Sequence, residues 1–527
     1  MIKKDLPIDE KETLQEFLNT VKQVYGSRLC FQWMNQEKVM EKTYQEFADE
    51  VMELAKTFRA QGFTSCTVGL LGENSYEWIQ MFFALILSDN VVVLIDKQAE
   101  VNEIADNLSR VHTDYIFHSK SYSKTAMDTA QKNQIGAQAL QQNVTQYDII
   151  VPEEASREDR ARLVQTDIIL FTSGTSGKSK AVMLSQKNIL SDIFAICKIL
   201  SFHGSSIVVL PLYHVYGLVS CLFSALIYGQ MMYLNQSIRQ LPEEFKRIQP
   251  YNICVVPQYI EYFYQYFHEV VKRTNNVKKL ERRIKMSSCL MHIGIDLREA
   301  LFREMIAAAF GSNFKVIASG GAPIQEEYVK FFYAIGIELV DGYGVSECSS
   351  AVTIVELKGK SEGCIGTPIS ACEIKIKDPD ATGCGEICVR GRNVMLGYYE
   401  EKHNKDAFAQ GWFCTGDLGV IKNGKLYLKG RLKNLIILSN GENVSAEELE
   451  SKIRAIPYVI ECRVLESEGK IKCQVYLDQT YQENVNETIH ADIQKINSTL
   501  PKFKNIKVIE VLDKELKKTS TGKIRRN

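Results

Sequence analysis

Short β-branched runs alternate with helical patterns along the first part of the chain, and this alternation is what most restricts its fold. Thr67–Leu71 reads as a strand, Ser75–Leu87 as an apolar-rich helix and Asn90–Ile95 as a second buried strand. Helix Glu100–Leu108 and strand Tyr115–Phe117 continue the series. Strands separated by helices predict largely parallel sheets with helices on both faces. The pattern returns at Ser206–Leu210, Asn252–Val256, Lys315–Ala318 and Glu338–Val340. Past residue 360 the texture changes: Ala371–Lys377, Gly385–Arg390 and Lys425–Lys429 read as short antiparallel strands with glycine turns. Past Arg431 a small α+β unit is expected. It has strand Asn434–Leu438, helix Ala446–Ala455 opened by a Ser445/Glu448 capping box, strands Val459–Leu465 and Lys472–Leu477, a helix over 487–500 and strand Ile506–Val511. The domain division expected from this is 1–430 and 431–527.

Charge and cysteine usage narrow the partners. With 63 Lys+Arg against 64 Asp+Glu and 45% hydrophobic residues, the chain is neither disordered nor a basic nucleic-acid binder. No nucleic-acid or anionic-lipid partner is indicated. The 14 cysteines contain no CxxC pair, the closest being Cys384 and Cys388, so zinc is not expected. Scattered thiols fit a reducing, cytoplasmic setting. The N-terminal MIKKDLPIDEKETLQEFL lacks the apolar run of a signal peptide. Gly204–Ser237 has no Asp, Glu, Lys or Arg, but Pro211, His214, Gly217, Gly229 and Gln230 interrupt it. It reads as strand Ser206–Leu210, a loop, core helix Leu218–Tyr228 and strand Met231–Leu234, with no integral membrane segment.

The strongest chemical signal follows a predicted strand, Asp167–Phe171: Thr172, Ser173, Gly174, Thr175, Ser176, Gly177, Lys178, Ser179, Lys180. Glycines let successive amide N–H groups turn toward phosphate oxygens, while hydroxyls and lysines add donors and charge. A polar linker is the bland alternative, but linkers seldom sit between a buried strand and an apolar helical run such as Ala181–Leu190. A Walker loop fails because position 172 is Thr where Gly is needed. A hydrolase elbow fails because Gly344–Cys348 ends in Cys.

Thr172–Lys180 resembles the phosphate loop of the adenylate-forming superfamily, which includes acyl-CoA synthetases, peptide-synthetase adenylation domains and firefly luciferases. Further blocks agree in order: Leu210–Leu218 (LPLYHVYGL), Ser319–Pro323 (SGGAP), Asp341–Glu347 (DGYGVSE), Gly397–Tyr399, Gly411–Asp417 (GWFCTGD), Gly430–Arg431, Ser439–Glu448 and Thr521–Lys523. The resemblance spans residues 40–527. It departs at Ser179, Lys180, Ala181, where Pro-Lys-Gly is usual, at Ser185 and Gln186 for Thr-His, and at Ser346 for Thr. The implied fold is α/β: a large N-terminal domain of mainly parallel sheets flanked by helices, a small β-barrel-like subdomain, then a small mobile α+β C-terminal domain.

The resemblance also implies roles. ATP would be held by Thr172, Ser173, Gly174, Thr175, Ser176, Gly177, Lys178 and Lys180, and by Gly320, Gly321, Ala322, Asp341, Gly342 and Gly344. Tyr343 would stack on adenine and Ser346 would supply a hydroxyl. Asp417, which follows Thr-Gly at what reads as a tight turn, would accept the ribose hydroxyls with Arg431 beside it. Glu347 would hold Mg²⁺, a hard cation that takes one or two carboxylates plus substrate phosphates. His214, Tyr216, Gly321 and Gly342 would line the acid pocket, with His214 gating it. Lys523 would bring its ammonium to carboxylate and phosphate. Lys433 occupies the hinge about which the C-terminal domain turns. Glu347, Lys523, Thr172 and His214 are thus the expected catalytic set.

The implied reaction activates a carboxylic acid with ATP as an acyl-adenylate, releases pyrophosphate and transfers the acyl group to a thiol. LPLYHVYGL offers no acid to hold a substrate ammonium, and none follows until Glu243. Because an unpaired ammonium in an apolar pocket is costly, fatty or aryl acids are expected over α-amino acids. The acceptor is CoA or, alternatively, a phosphopantetheinyl carrier protein. An inactive nucleotide-binding regulator is the alternative from another class; the presence of Lys523, Glu347, Asp417 and Arg431 argues against it.

Overall fold

The computed structural model describes residues 6–141, 163–172, 178–358, 363–438, 443–481, 484–516 and 524. The chain falls into two compact units. One comprises Met1–Thr172, Ser179–Glu373 and Val389–Gly411; the other comprises Ser173–Lys178, Ile374–Cys388 and Trp412–Asn527.

The first unit is built on two sheets. In one, Ile168–Thr172, Val91–Leu94, Thr67–Leu71, Tyr115–His118 and Gly136–Ala139 lie side by side and parallel. Lys180–Leu184 and then Gly397–Tyr398 extend it antiparallel. In the other, Glu338–Tyr343, Val316–Gly320, Asn252–Val255, Ser205–Val208, Met231–Leu234 and Leu29–Asn35 run parallel. Thr353–Leu357 and Lys38–Thr43 flank that series antiparallel. The expected parallel sheets with helical crossovers are therefore present. Helix Tyr76–Leu87, capped by Ser75, is buried on every side, as a helix apolar all round must be. The hairpin Leu29–Thr43 and the helices around it, Leu14–Tyr25 and Tyr44–Ala60, had no counterpart in the sequence reading.

One local expectation is corrected and a second is refined. Ala181–Leu190 is not one helical run. Lys180–Leu184 is a strand, in register with Ile168–Thr172 so that Thr172 faces Lys180, and the helix begins at Gln186 behind a Ser185/Asn188 capping box. Ala181, Val182, Met183 and Leu184 are all buried, and a short, wholly buried apolar run carries no periodicity to separate strand from helix. Secondly, the core helix after His214 starts as a π-helix over Gly217–Phe223 and becomes α-helical over Ser224–Tyr228. A Cβ at Gly217 would lie 2.2 Å from the Pro211 carbonyl oxygen, so only glycine lets this helix start so close to the loop. No helix among the described residues is long and apolar enough to cross a membrane.

In the second unit, segment 374–377 neighbours 385–388, which in turn neighbours Trp412–Lys422, and that strand pairs antiparallel with Lys425–Arg431. The turn between the last two is Asn423–Gly424, both at positive φ, the combination a tight hairpin favours. Asp417 is therefore not at a turn, as the Thr-Gly-Asp sequence suggested. It lies inside an eleven-residue strand, with Gly416 at φ +72° just before it. The C-terminal segment packs helices Ala446–Arg454 and Val485–Ser498 with strands Val459–Ser467, Lys470–Leu477 and Val508–Val511 around Leu449, Ile453, Val464, Val475 and Ile489. Ser445 caps its helix by accepting from the Glu448 N–H. The reciprocal half of the expected capping box is missing, because the Glu448 carboxylate pairs with Lys504 at 2.7 Å.

Candidate functional site

Parallel strands in the first unit end on the glycine-rich residues singled out from sequence. Ser319 pairs with Asp341 and Gly320 with Gly342. Open α/β sheets bind ligands outside the carboxyl ends of their strands, where these residues lie. A Cβ at Gly320 would come within 3.2 Å of the Gly342 carbonyl and 3.3 Å of the Tyr216 ring, so the floor here is backbone. Gly321 follows at φ +85°. Tyr216 donates toward the carbonyls of Val255 at 3.2 Å and Ala318 at 3.1 Å, which fixes its ring across two strand ends. His214 stands just before it, its ring 4.5 Å from that of Tyr213.

Asp341 is enclosed. Burial raises its carboxyl to about 7, partly offset by the Gly342 N–H, and its Oδ1 is buried with no hydrogen-bond partner among the described residues. A buried acceptor left unmet costs about 1–3 kcal/mol. An amine donor from a ligand would satisfy it. Tyr343 is half-buried at the end of the strand, opposite Thr353. Gly344 admits no side chain: a Cβ would sit 1.7 Å from the Ser350 carbonyl oxygen.

Glu347 lies in a single 3₁₀ turn, Ser346–Cys348. Its Oε1 accepts from the Tyr398 hydroxyl at 2.7 Å, and its backbone carbonyl accepts from Met395 N–H at 2.8 Å. The Lys180 ammonium stands 4.6 Å from the Tyr398 ring centroid. One chain of contacts thus joins Lys180, a hydroxyl and a carboxylate. Oε2 of Glu347 makes no hydrogen bond among the described residues, so a hard cation could take it. That donor chemistry fits Mg²⁺.

Three supports of this constellation carried no signal in the sequence reading. Arg110 donates to the Ser179 carbonyl at 2.7 Å and to Glu400 at 2.6 Å, while Ser179 Oγ donates to Asn107 at 2.7 Å. Buried Asp192 accepts from Asn393 Nδ2 at 3.0 Å, and Asn393 also donates to the carbonyls of Cys348 and Ala351. Asn188 donates to the carbonyls of Arg392 and Val394. Tyr398, too, was seen only as part of a block. Their partners are tens to hundreds of residues away, beyond what spacing can reveal.

In the second unit Arg431 Nε donates to Asp417 Oδ1 at 2.8 Å, and the two residues are register partners. Asp417 is 3% exposed, and its N–H donates to Thr415 Oγ1. The two residues expected at the ribose are therefore held together. Lys433 lies in the 3₁₀ turn Leu432–Asn434 that follows. Lys178 is exposed. Ser173, Gly174, Thr175, Ser176, Gly177 and Lys523 lie outside the described residues, as does the loop at 439–442. Ala322 is exposed after Gly321.

Residues 19–399 match the AMP-binding enzyme family, and residues 433–527 match the AMP-binding enzyme C-terminal domain. The chain is 25% identical over 464 residues to long-chain-fatty-acid–CoA ligase 5 of Mus musculus, covering 78% of this chain and 66% of that one. It is 27% identical over 519 residues to the chloroplastic long-chain-fatty-acid–[acyl-carrier-protein] ligase of Arabidopsis thaliana, covering 81% and 71%. Among solved structures, it is similar in fold to the O-succinylbenzoate coenzyme A synthetase of Bacillus subtilis in complex with ATP and magnesium. The TM-score is 0.75 at 22% identity, over 97% of this chain and 98% of the other.

Proposed function

The chain belongs to the AMP-binding enzyme family, and from that premise we propose that it is an acid–thiol ligase that activates a fatty acid through its acyl-adenylate and passes the acyl group to CoA. The observation that carries this is the contact chain Lys180–Tyr398–Glu347. It sets a cation and a carboxylate beside the strand end from which the phosphate loop departs.

The obstacle in the first step is charge, because a carboxylate must approach a polyphosphate. Positioning and preorganised donors lower that barrier. Asp341 Oδ1 would accept the exocyclic amine of adenine, with Tyr343 as stacking surface. Asp417, steadied by Arg431, would accept the ribose hydroxyls. Thr172, Lys178, Lys180 and the intervening hydroxyls and amides would hold the phosphates. Mg²⁺, held by Glu347, would neutralise phosphate charge. Lys523 would place its ammonium between carboxylate and α-phosphate. Tyr216 and His214 would bound the acid pocket, where the lack of a carboxylate in Leu210–Leu218 favours an apolar acid. Residues 431–527 would act as the mobile cap, turning at Lys433 for thioester formation.

A carrier-protein acceptor is the second reading, favoured by the Arabidopsis relative named for that acceptor. Pyrophosphate release across a panel of acids, with CoA, acyl carrier protein or neither, tests both readings. A fatty-acid-dependent signal completed by CoA supports the first. Completion by carrier protein alone supports the second, and no ATP consumption with any acid removes both.

A further inference from the structure

Outside the site just described, the second unit holds a pair of thiols in contact. Cys388 Sγ lies 3.2 Å from Cys414 Sγ, though the residues are 26 apart in sequence. Their strands, Gly385–Gly391 and Trp412–Lys422, are neighbours in the sheet. Thr415 Oγ1 donates to the Ile387 carbonyl at 2.9 Å, and Gly416 N–H donates to Glu386 Oε1 at 3.2 Å. Both contacts give a register that sets Cys388 opposite Cys414. Alternation along a strand places Glu386 and Cys388 on the same face. There Lys377 Nζ is 3.4 Å from Glu386 Oε2, and the Lys375 ammonium is 4.6 Å from the Trp412 ring centroid. Cys388 is fully buried and Cys414 is partly exposed.

Glu386, Cys388 and Cys414 together could hold a metal ion. Two features turn the cluster toward redox chemistry instead. Glu386 already accepts from Lys377 and from Gly416 N–H. A cation also already stands there: the Lys377 ammonium is ion-paired with Glu386, so a second cation at the cluster would meet it.

We propose that Cys388 and Cys414 are a redox modification site that closes to a reversible cross-strand disulfide when the chain meets hydrogen peroxide. The accessible Cys414 thiolate attacks one peroxide oxygen; the O–O bond breaks, and the leaving hydroxide takes a proton to become water. This gives a sulfenic acid at Cys414. The Cys388 sulfur then attacks that sulfur, the S–O bond breaks, and a second water leaves with the Cys388 proton. Two thiols have lost two electrons to one peroxide. The sulfurs need only close from 3.2 Å to about 2.05 Å. The bond would staple the strand that carries Asp417, three residues beyond Cys414.

The test is peptide mapping of the full chain after brief peroxide treatment in native buffer, alkylation of remaining thiols and digestion without reductant. The expected product is one Cys388–Cys414 linked peptide, lighter by two hydrogens and lost on adding dithiothreitol, with two fewer alkylatable thiols per chain. In Cys388→Ser, the same treatment should leave Cys414 as a sulfenic acid captured by a dimedone-type probe. The proposal is overturned if both cysteines stay alkylatable while exposed Cys289 oxidises. It is equally overturned if the purified chain retains about one zinc per molecule that Cys388→Ser releases.

Discussion

The Tyr398 hydroxyl donates to Glu347 Oε1 at 2.7 Å across 51 residues of sequence, and Oε2 is left without a hydrogen bond among the described residues. Tyr398 is itself placed by backbone pairing with Val182 and by Asn404, which accepts from its N–H at 2.7 Å. The acid of one block is thus aimed by the aromatic ring of another.

Tyr398→Phe keeps the ring under Lys180 and removes only the donor. A hydrogen bond to a charged group contributes about 1.5–3 kcal/mol, so acid-dependent pyrophosphate release should fall about tenfold or more at limiting Mg²⁺. Raising Mg²⁺ should restore part of it. A magnesium titration unchanged from wild type would remove Tyr398 from the site.

Asp341 gives a pH dependence of defined sign. Its folded pKa, about 7, stands above the ordinary 3.8, so folding holds this proton more tightly than the unfolded chain does. Its contribution to stability is full in acid and declines as pH rises through about 7. An amine donor at Oδ1 favours the ionised form, so ATP affinity should rise over the same window. Asp341→Asn should flatten both curves. Calorimetric titration with ATP on either side of neutrality checks this, and affinity falling with rising pH contradicts it.

Lys523→Ala should slow adenylate formation by about 10² to 10³ while sparing thioester formation from a supplied acyl-adenylate. Half-reaction assays separate the two steps. Equal loss in both would count against the placement of this ammonium.

Gly344→Ala forces a Cβ to within 1.7 Å of the Ser350 carbonyl, and backbone cannot rotate away as a side chain can. A loss of roughly 1–3 kcal/mol is expected, read as a lower urea midpoint with an unchanged slope. Wild-type stability in this variant would mean that the turn is looser than its geometry.

The parallel architecture was legible because its strands and helices are long and well patterned: Thr67–Leu71, helix Tyr76–Leu87 and Val91–Leu94 fall within a residue or two of expectation. Lys180–Leu184 was misread because four consecutive buried apolar residues show neither period. Asp417 was misread because Thr-Gly-Asp is turn chemistry, whereas the hairpin bends six residues later at Asn423–Gly424. Glu347, Tyr343 and Arg431 could be singled out from short blocks. Arg110, Asn188, Asp192 and Asn393 could not, since each acts on backbone far along the chain.

The polar network through Asp192 and Asn393 also bears on how this scaffold can be recombined. It fastens the turn holding Glu347 to residues 392–394, just ahead of Tyr398. A crossover between a relative and this chain placed inside 352–391 would inherit the acid from one parent and its supporting wires from the other. Exchanging 188–398 as one cassette keeps the Glu347 turn together with Asn188, Asp192, Asn393 and Tyr398, which hold it.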